Sequence, residues 1–525
     1  MFTAPEISYM AFAPMIVVLL GGAAGVLVEA FIRTPATRRS VQLALTLVAT
    51  VGALGVAVVQ WATYSPDSAG VIGQTGYFVM DRQALAWQSM ILIFGALSAL
   101  LFAARTRAGE SAFTPLGSAA PGSPEEAEAH RRGLEVTEVF PLMLFAVGGM
   151  MAFVSATDLI ALFVALEVFS LPLYLMAALA RRKRLLSEEG ALKYFLLGAF
   201  SSAVFLFGAA LLYGATASTG YGDILAYVLA SPGDLTLIIP GAVLVLVGLL
   251  FKLGAVPFHT WSPDAYQGAP TPVTAFMAAA TKAAAAAALL RIVYVALYPL
   301  EWELSWMIWT IAILTMAVGT IVALVQTDIK RMLAYSSVAH AGFILVAFAG
   351  FSAEALSAVP FYLLTYGIAT IGAFAIITQV REKAADGTVG GEATRLGQWA
   401  GLGRRDPLLA GAMGLFLLSF AGIPLTAGFI GKFQVFAAAV DQGGWPIVLV
   451  AVLASAAAAF FYVRLIVLMF LTDVPEDQQE SVEVDYHPYT RVVVWITAAA
   501  TLLLGVLPAG ALALASDAGT LLTGL

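Results

Sequence analysis

The sequence predicts an all-α polytopic membrane protein of about fourteen transmembrane helices. Three observations carry that expectation. Apolar runs of roughly 20 residues, the length a hydrocarbon core of about 30 Å requires, recur along the whole chain. Of its 525 residues 61% are hydrophobic and only 11% are charged, against about 25% charged in an ordinary soluble domain. The basic residues, finally, collect in alternate loops.

Taken in order, the spans are expected near 10–30, 41–63, 84–104, 138–155, 158–180, 190–216, 235–256, 271–298, 304–326, 332–351, 354–380, 407–440 (interrupted), 444–472 and 490–515. The opening stretch MFTAPEISYMAFAPMIVVLLGG lacks a positive n-region and a small-residue cleavage site, so it reads as a retained span rather than a signal peptide. Most of the 26 Lys and Arg fall in alternate loops: Arg33, Arg38 and Arg39, then Arg105, Arg107, Arg131 and Arg132, then Arg181, Arg182, Lys183 and Arg184. Lys330 and Arg331 follow, then Arg381, Lys383, Arg395, Arg404, Arg405 and Arg491. The opposite loops carry essentially Arg82 alone. The positive-inside rule then places the basic loops in the cytoplasm and both termini on the outer, periplasmic side of a bacterial plasma membrane.

Loops 105–137 and 381–406 read as flexible polar connectors, and 472–488 is acidic. No strand is expected, and therefore no nucleotide-binding loop following one. With no cysteine in the chain, a cysteine-ligated iron–sulfur cluster, a disulfide framework and a thiol nucleophile are excluded. No basic run interleaved with aromatics is present, so the partner is the lipid bilayer and not nucleic acid. Trp61, Tyr64, Trp302 and Trp306 read as interfacial anchors, and Asp158 and Asp328 as helix caps.

Two segments, FKLGAVPFHTWSPDAYQGAPTP (251–272) and FAGIPLTAGFIGKFQVF (420–436), put Gly and Pro in or beside a span, each with one Lys nearby. Paired interruptions with a neighbouring charge mark inverted-repeat transporters with discontinuous helices. The expectation is two inverted five-helix repeats, 138–300 and 301–475, with broken seventh and twelfth helices. Residues 1–137 would supply spans one to three, and 476–525 the last.

The charges left inside the membrane are Glu167, Lys193, Lys252, Lys282, Arg291, Lys432 and Arg464. A lysine at a helix centre costs about 2.5–3.5 kcal/mol on insertion scales, so these positions need a compensating role. Arginine stays charged under almost any condition, whereas a desolvated lysine readily releases its proton. Proton transfer is the chemistry that uses the difference. Glu167, in LFVALEVFSLPLYLM, could pair with a neighbouring ammonium, and a Glu–Lys pair that separates would act as a switch. Lys252 precedes Gly254 and Pro257, and Pro257 frees a backbone carbonyl that must be met by protein or water. Lys282 lies in the small-residue helix MAAATKAAAAAALL, and Lys432 follows Pro424 and Gly428.

His259 and His340 are relays or satisfied buried imidazoles; His340 has the hydroxyls of Tyr335, Ser336 and Ser337 close by in sequence. For Lys193, Arg291 and Arg464, snorkelling or structural pairing stands beside a place in a path.

The stretches LEVFSLPLYLMAAL, ALKYFLLGAFSSAVFLFG, FKLGAVPFHTWSPDAYQGAPTPVTAFMAAATK, DIKRMLAYSSVAHAGFIL and AGIPLTAGFIGKF resemble the antiporter-like membrane subunits of respiratory complex I, and among these the subunit N type. The likeness runs from about residue 138 to 470. It implies that Glu167 is the fifth-helix glutamate, Lys252 and Lys282 the lysines of the broken seventh and the eighth helix, and Lys432 the charge of the broken twelfth. Lys193 matches a sixth-helix lysine typical of subunit N. Subunit M usually has glutamate where Lys432 stands, and subunit L carries a long lateral helix.

The implied function is proton translocation in an NADH:quinone oxidoreductase through Lys252, Lys282, His340 and Lys432, switched at Glu167–Lys252. The resemblance puts flavin, iron–sulfur clusters, NADH and quinone in partner subunits of the peripheral arm, with no cofactor or metal in this chain. Its membrane partners would be subunit M and the small subunits K and J. Multisubunit sodium/proton antiporters and membrane-bound hydrogenases share the fold and stand as the alternative.

Overall fold

A computed structural model describes residues 8–64, 70–73, 76–120, 123–132, 134–231, 233–383, 389–473 and 482–519. It is an α-helical bundle. Among the described residues eleven helices are long and apolar enough to cross a membrane. Three of the expected spans hold shorter helices: Val139–Ser155, Ile238–Leu253, and the pair Pro407–Ala421 and Ala427–Val440. Length and composition thus support eleven crossings.

The bundle is built around Thr271–Ala296, which is wholly buried. Its run of alanines from Ala283 to Ala288 lets neighbouring backbones approach closely. Two π-helical turns, Met277–Thr281 and Ile292–Ala296, interrupt it, and Lys282 follows the first of them. Ile329–Phe348 and Ala355–Gln379 are nearly as deep. Ala13–Phe31, Pro35–Thr63 and Trp445–Phe470 form the rim and leave most of their surface uncovered. Large apolar side chains such as Leu20, Phe200, Trp302, Trp306 and Phe460 point outward, as a bilayer-facing surface requires. Asp158 and Asp328 cap their helices, accepting the N–H of Ile160 at 2.8 Å and of Arg331 at 3.0 Å.

The basic loops meet at one end of the bundle. Arg39 reaches Glu135 at 3.5 Å, Arg107 reaches Glu483 at 3.1 Å, and Arg182 reaches Glu110 at 2.9 Å. Glu110 is half-buried. Burial alone would raise its carboxyl, but hydrogen bonds and charge from Arg182 and Arg181 hold it below the usual carboxylate range.

Where described, the polar loops are folded rather than flexible, a correction to the expectation. Val380–Lys383 pairs antiparallel with Val389–Glu392 and with Val482–Val484, and Val71–Ile72 pairs with Val79–Met80. These strands span at most four residues, too few for a period-two pattern to register in sequence. Trp399 is buried and donates to the Ala393 carbonyl. In the 105–137 connector, Pro124–Arg131 is helical, and buried Arg184 donates to the Ala119 carbonyl at 2.7 Å and to Glu126 at 3.1 Å. Much of the acidic 472–488 stretch, and both chain ends, lie outside the described residues.

Candidate functional site

Both predicted breaks are present, and they are made the same way. Ile238–Leu253 ends at Gly254 and Pro407–Ala421 ends at Gly422, each glycine in the left-handed region at φ 81° and 80°. Other residues adopt that conformation only at a cost. At the first break the N–H of Gly254 bonds the Phe251 carbonyl at 3.1 Å and that of Ala255 bonds Leu250 at 3.0 Å. At the second, Gly422 bonds Ser419 and Ile423 bonds Leu418, both at 3.0 Å. This is a Schellman cap, which satisfies the fourth- and third-last carbonyls and leaves the final ones exposed to a low-dielectric interior.

Lysines take those final carbonyls. Lys282 Nζ donates to the Leu253 carbonyl at 2.8 Å and to that of Ser337, on Ile329–Phe348, also at 2.8 Å. Lys432 Nζ donates to the Phe420 and Ala421 carbonyls at 2.8 and 3.2 Å, and lies 2.7 Å from Ser455 Oγ. A cation at a helix C-terminus also meets the negative end of its dipole. Donors freed by each break find hydroxyls: Val256 N–H bonds Thr315 at 2.9 Å, and Gly428 N–H bonds Ser419 Oγ at 3.0 Å.

Lys252 sits one residue before the end of Ile238–Leu253 and is buried. Its ammonium bonds the hydroxyls of Tyr174 and Tyr194 at 3.3 Å each and lies 5.0 to 5.2 Å over the rings of Phe169, Tyr174 and Tyr194. This aromatic cage holds a cation by quadrupole attraction while offering two hydroxyls as proton partners. Glu167 lies on Leu159–Ala177, two turns from Tyr174, and accepts a short hydrogen bond from Ser202. Among the described residues no ion pair within 4.0 Å joins Glu167 to Lys252: hydroxyls occupy both groups.

His340 is buried between two phenols, with Nδ1 2.6 Å from Tyr362 Oη and Nε2 3.2 Å from Tyr462 Oη. Tyr462 also meets Ser336 Oγ at 2.5 Å, so of the hydroxyls near His340 in sequence, Ser336 is linked to it through Tyr462. Tyr335 faces His259 instead, with ring centroids 6.4 Å apart. His259 is half-buried beyond the first break and is not bonded to the lysines.

Phe343 and Phe420 separate His340 from Lys432. The Lys432 ammonium is 4.7 Å over the Phe343 ring, and His340 meets the Phe343 and Phe420 rings edge to face, with centroids 5.6 and 5.8 Å apart. Lys282, the Ser337–Ser336 turn, Tyr462, His340 and Lys432 thus form one contiguous buried region.

Lys193 stands apart from it. Its half-exposed side chain pairs with Glu189 at 2.6 Å and Asp264 at 2.9 Å. Lys330, read from sequence as a loop cation, is the one that is buried: it donates to the Ala269 carbonyl at 2.8 Å and lies 4.0 Å from Glu392. Its neighbour Arg331 made the pair look like an ordinary basic loop. Arg291 is not part of the lysine region either. Its guanidinium grips both oxygens of buried Asp81 at 2.8 and 2.9 Å. Arg464 is exposed and, among the described residues, makes only a 3.4 Å bond to the Leu324 carbonyl.

Sequence reasoning missed Asp81, Lys330, Ser202, Ser455 and the four tyrosines 174, 194, 362 and 462. Only Tyr174 carried a usable signal, lying seven residues after Glu167 on the same helical face.

The family model described as NADH:quinone oxidoreductase/Mrp antiporter, TM matches residues 156–458, a range that includes every lysine of the region just described. The subunit N of NADH-quinone oxidoreductase from Beutenbergia cavernae is 54% identical over 98% of this chain and 99% of its own. Among solved structures, a chain of respiratory complex I from Thermus thermophilus with bound aureothin is 32% identical, with a TM-score of 0.75 over 96% of this chain and 99% of that one. A chain of the Mrp complex from Dietzia sp. gives a TM-score of 0.80 over 98% of this chain and 97% of that one, and at 22% identity shows the fold alone. The chain belongs to the NADH-quinone oxidoreductase subunit N family.

Proposed function

We propose that this chain is a proton-translocating membrane subunit of an NADH:quinone oxidoreductase, and that Glu167, Lys252, Lys282, His340 and Lys432 carry the proton. The observation that supports the reading best is the pair of Schellman-capped breaks, each holding its last carbonyls on a buried lysine ammonium. A lysine there meets hydroxyls and carbonyls rather than a fixed carboxylate, so nothing locks its proton in place. Lys193 and His259 take a lesser part, at the basic end of the bundle.

NADH oxidation and quinone reduction belong to partner subunits carrying the flavin and iron–sulfur clusters. Their energy reaches this chain as a field or a helix displacement. That drive brings Glu167 against Lys252 and then releases it. With Glu167 held by Ser202, as here, Lys252 is free to pass its proton toward Lys282. We read 138–300 and 301–475 as two inverted repeats, the basic loops as cytoplasmic, and subunits M, K and J as neighbours.

The test is Lys252→Ala and Glu167→Ala in the intact complex, with assembly verified and quinone reduction and proton pumping measured separately. Pumping lost while the complex assembles is the expected result. Full pumping in either variant overturns the switch. Isolation of the native complex without flavin and iron–sulfur subunits would instead mark an antiporter.

A further inference from the structure

At the end of the bundle opposite the basic loops, an apolar groove of about 410 Å³ runs between four helices. Leu54 of Pro35–Thr63, Met90 and Ile93 of Arg82–Ala103, Phe361 of Ala355–Gln379, and Leu514 of Ala509–Ala518 line it. Its volume falls in the range of small-molecule sites, about 300–1,000 Å³. Apart from Ser89 its walls offer almost nothing to a polar ligand.

The groove has a direction and a charged end. Ala86, Met90 and Ile93 continue one face of the helix that begins at Arg82. From Arg82 to Ile93 is eleven residues, about 16 Å at 1.5 Å per residue, close to half of a ~30 Å hydrocarbon core. Arg82 stands at the mouth. Its guanidinium lies 5.1 Å over the ring of Trp61, which lines the groove, and donates to the Tyr64 carbonyl at 2.8 Å. Asp517 forms an ion pair with it at 3.6 Å, and among the described residues the buried Arg82 Nε has no hydrogen-bond partner. Arg82 is also essentially the only basic residue that the sequence puts on this side.

We propose that the groove is a phospholipid site, with one acyl chain along Met90 and Ile93 and the lipid phosphate on Arg82 beside Trp61. The occupant follows from charge and length together. A guanidinium at the headgroup level that has one N–H still to place, on a side of the bundle with almost no other basic residue, selects a phosphate. A dry channel about 10 Å long below it, from Ala86 to Ile93, takes the upper part of a hydrocarbon chain, and an aromatic at the junction is the usual interfacial partner. The lipid would join the N-terminal helices to the C-terminal one, a structural task separate from proton transfer.

The experiment uses the intact native complex reconstituted with phosphatidylethanolamine carrying a diazirine on its acyl chain, followed by photolysis and peptide mapping. Adducts are expected on the peptides bearing Met90, Ile93 or Leu514. Arg82→Gln is expected to lower their yield about tenfold, the loss of one charge-assisted hydrogen bond. Ile93→Trp, which fills the groove and keeps the cation, should do the same. Leu514 is 56% exposed on a terminal helix, so Leu514→Trp gives a filling variant that leaves the core alone. Equal yields in all variants overturn the site. So does displacement of the adducts by a short-chain quinone, which would make the occupant a quinone tail. Cross-links from the groove to another protein subunit would likewise overturn it.

Discussion

The two helix breaks share a backbone and differ in where their lysine comes from. At the second, Lys432 follows the break by eleven residues on the same interrupted helix pair, and Ser455 shares the load by also approaching the Ala421 carbonyl at 3.3 Å. At the first, Lys282 arrives from the central helix and holds Leu253 and Ser337 together. The second break is therefore closed locally, whereas the first is tied to the helix that carries His340. A disturbance at Lys282 must be felt on both sides, and one at Lys432 much less. The cation Arg291 is a third arrangement, locked on a carboxylate, and it shows what the lysines avoid.

Breaking that lock should have the largest effect on stability. Asp81→Ala strands a buried guanidinium and should cost about 3–5 kcal/mol, seen as loss of assembled complex or a lower unfolding temperature. Replacing Asp81 and Arg291 together by apolar residues should recover most of it. Next comes Lys282→Ala, which leaves the Leu253 carbonyl without its partner, about 1–3 kcal/mol, and should remove pumping from whatever assembles. Lys432→Arg keeps the charge and discards the releasable proton, so pumping should fall with assembly intact. Unimpaired pumping there would show that the second break is structural only. Ser455→Ala should cost about 1 kcal/mol and slow pumping without stopping it, since Lys432 keeps both carbonyls.

The smallest effect is at the basic end. Glu110 is held below the usual carboxylate range in the folded protein, so its stabilising contribution is complete above about pH 4.3 and is lost as pH falls through the lowered value. Glu110→Gln should flatten that acid limb and slightly lower stability at neutral pH, as read by thermal unfolding against pH.

The breaks were legible in sequence because glycine and proline act locally: Gly254 and Gly422 declare their conformations without reference to anything distant. The lysines were legible because a charge in an apolar run is conspicuous against its neighbours. What escaped was everything set by packing. Asp81 meets Arg291 across 210 positions, and Tyr462 meets His340 across 122, with no periodicity to link them. Lys193 and Lys330 exchanged places for the same reason. An apolar run gave Lys193 apparent depth, while Arg331 gave Lys330 apparent exposure, and only the short helix Trp261–Gly268 with the turn after it, and the strand around 392, reversed both.

One consequence of the Lys432 site concerns the count of hydrogens. An ammonium has three to give, and here it has three acceptors: two carbonyls and the oxygen of Ser455. Once neutral, the amine keeps two hydrogens for the two carbonyls and gains a lone pair, toward which the Ser455 hydroxyl can turn its own hydrogen. Lys282 has two carbonyl acceptors, the number a neutral amine fills. The Lys432 cradle is complete with the proton and without it, whereas the two Lys282 acceptors are matched only by the neutral amine. At Lys432 a proton can therefore depart after one hydroxyl rotates, with no helix required to move.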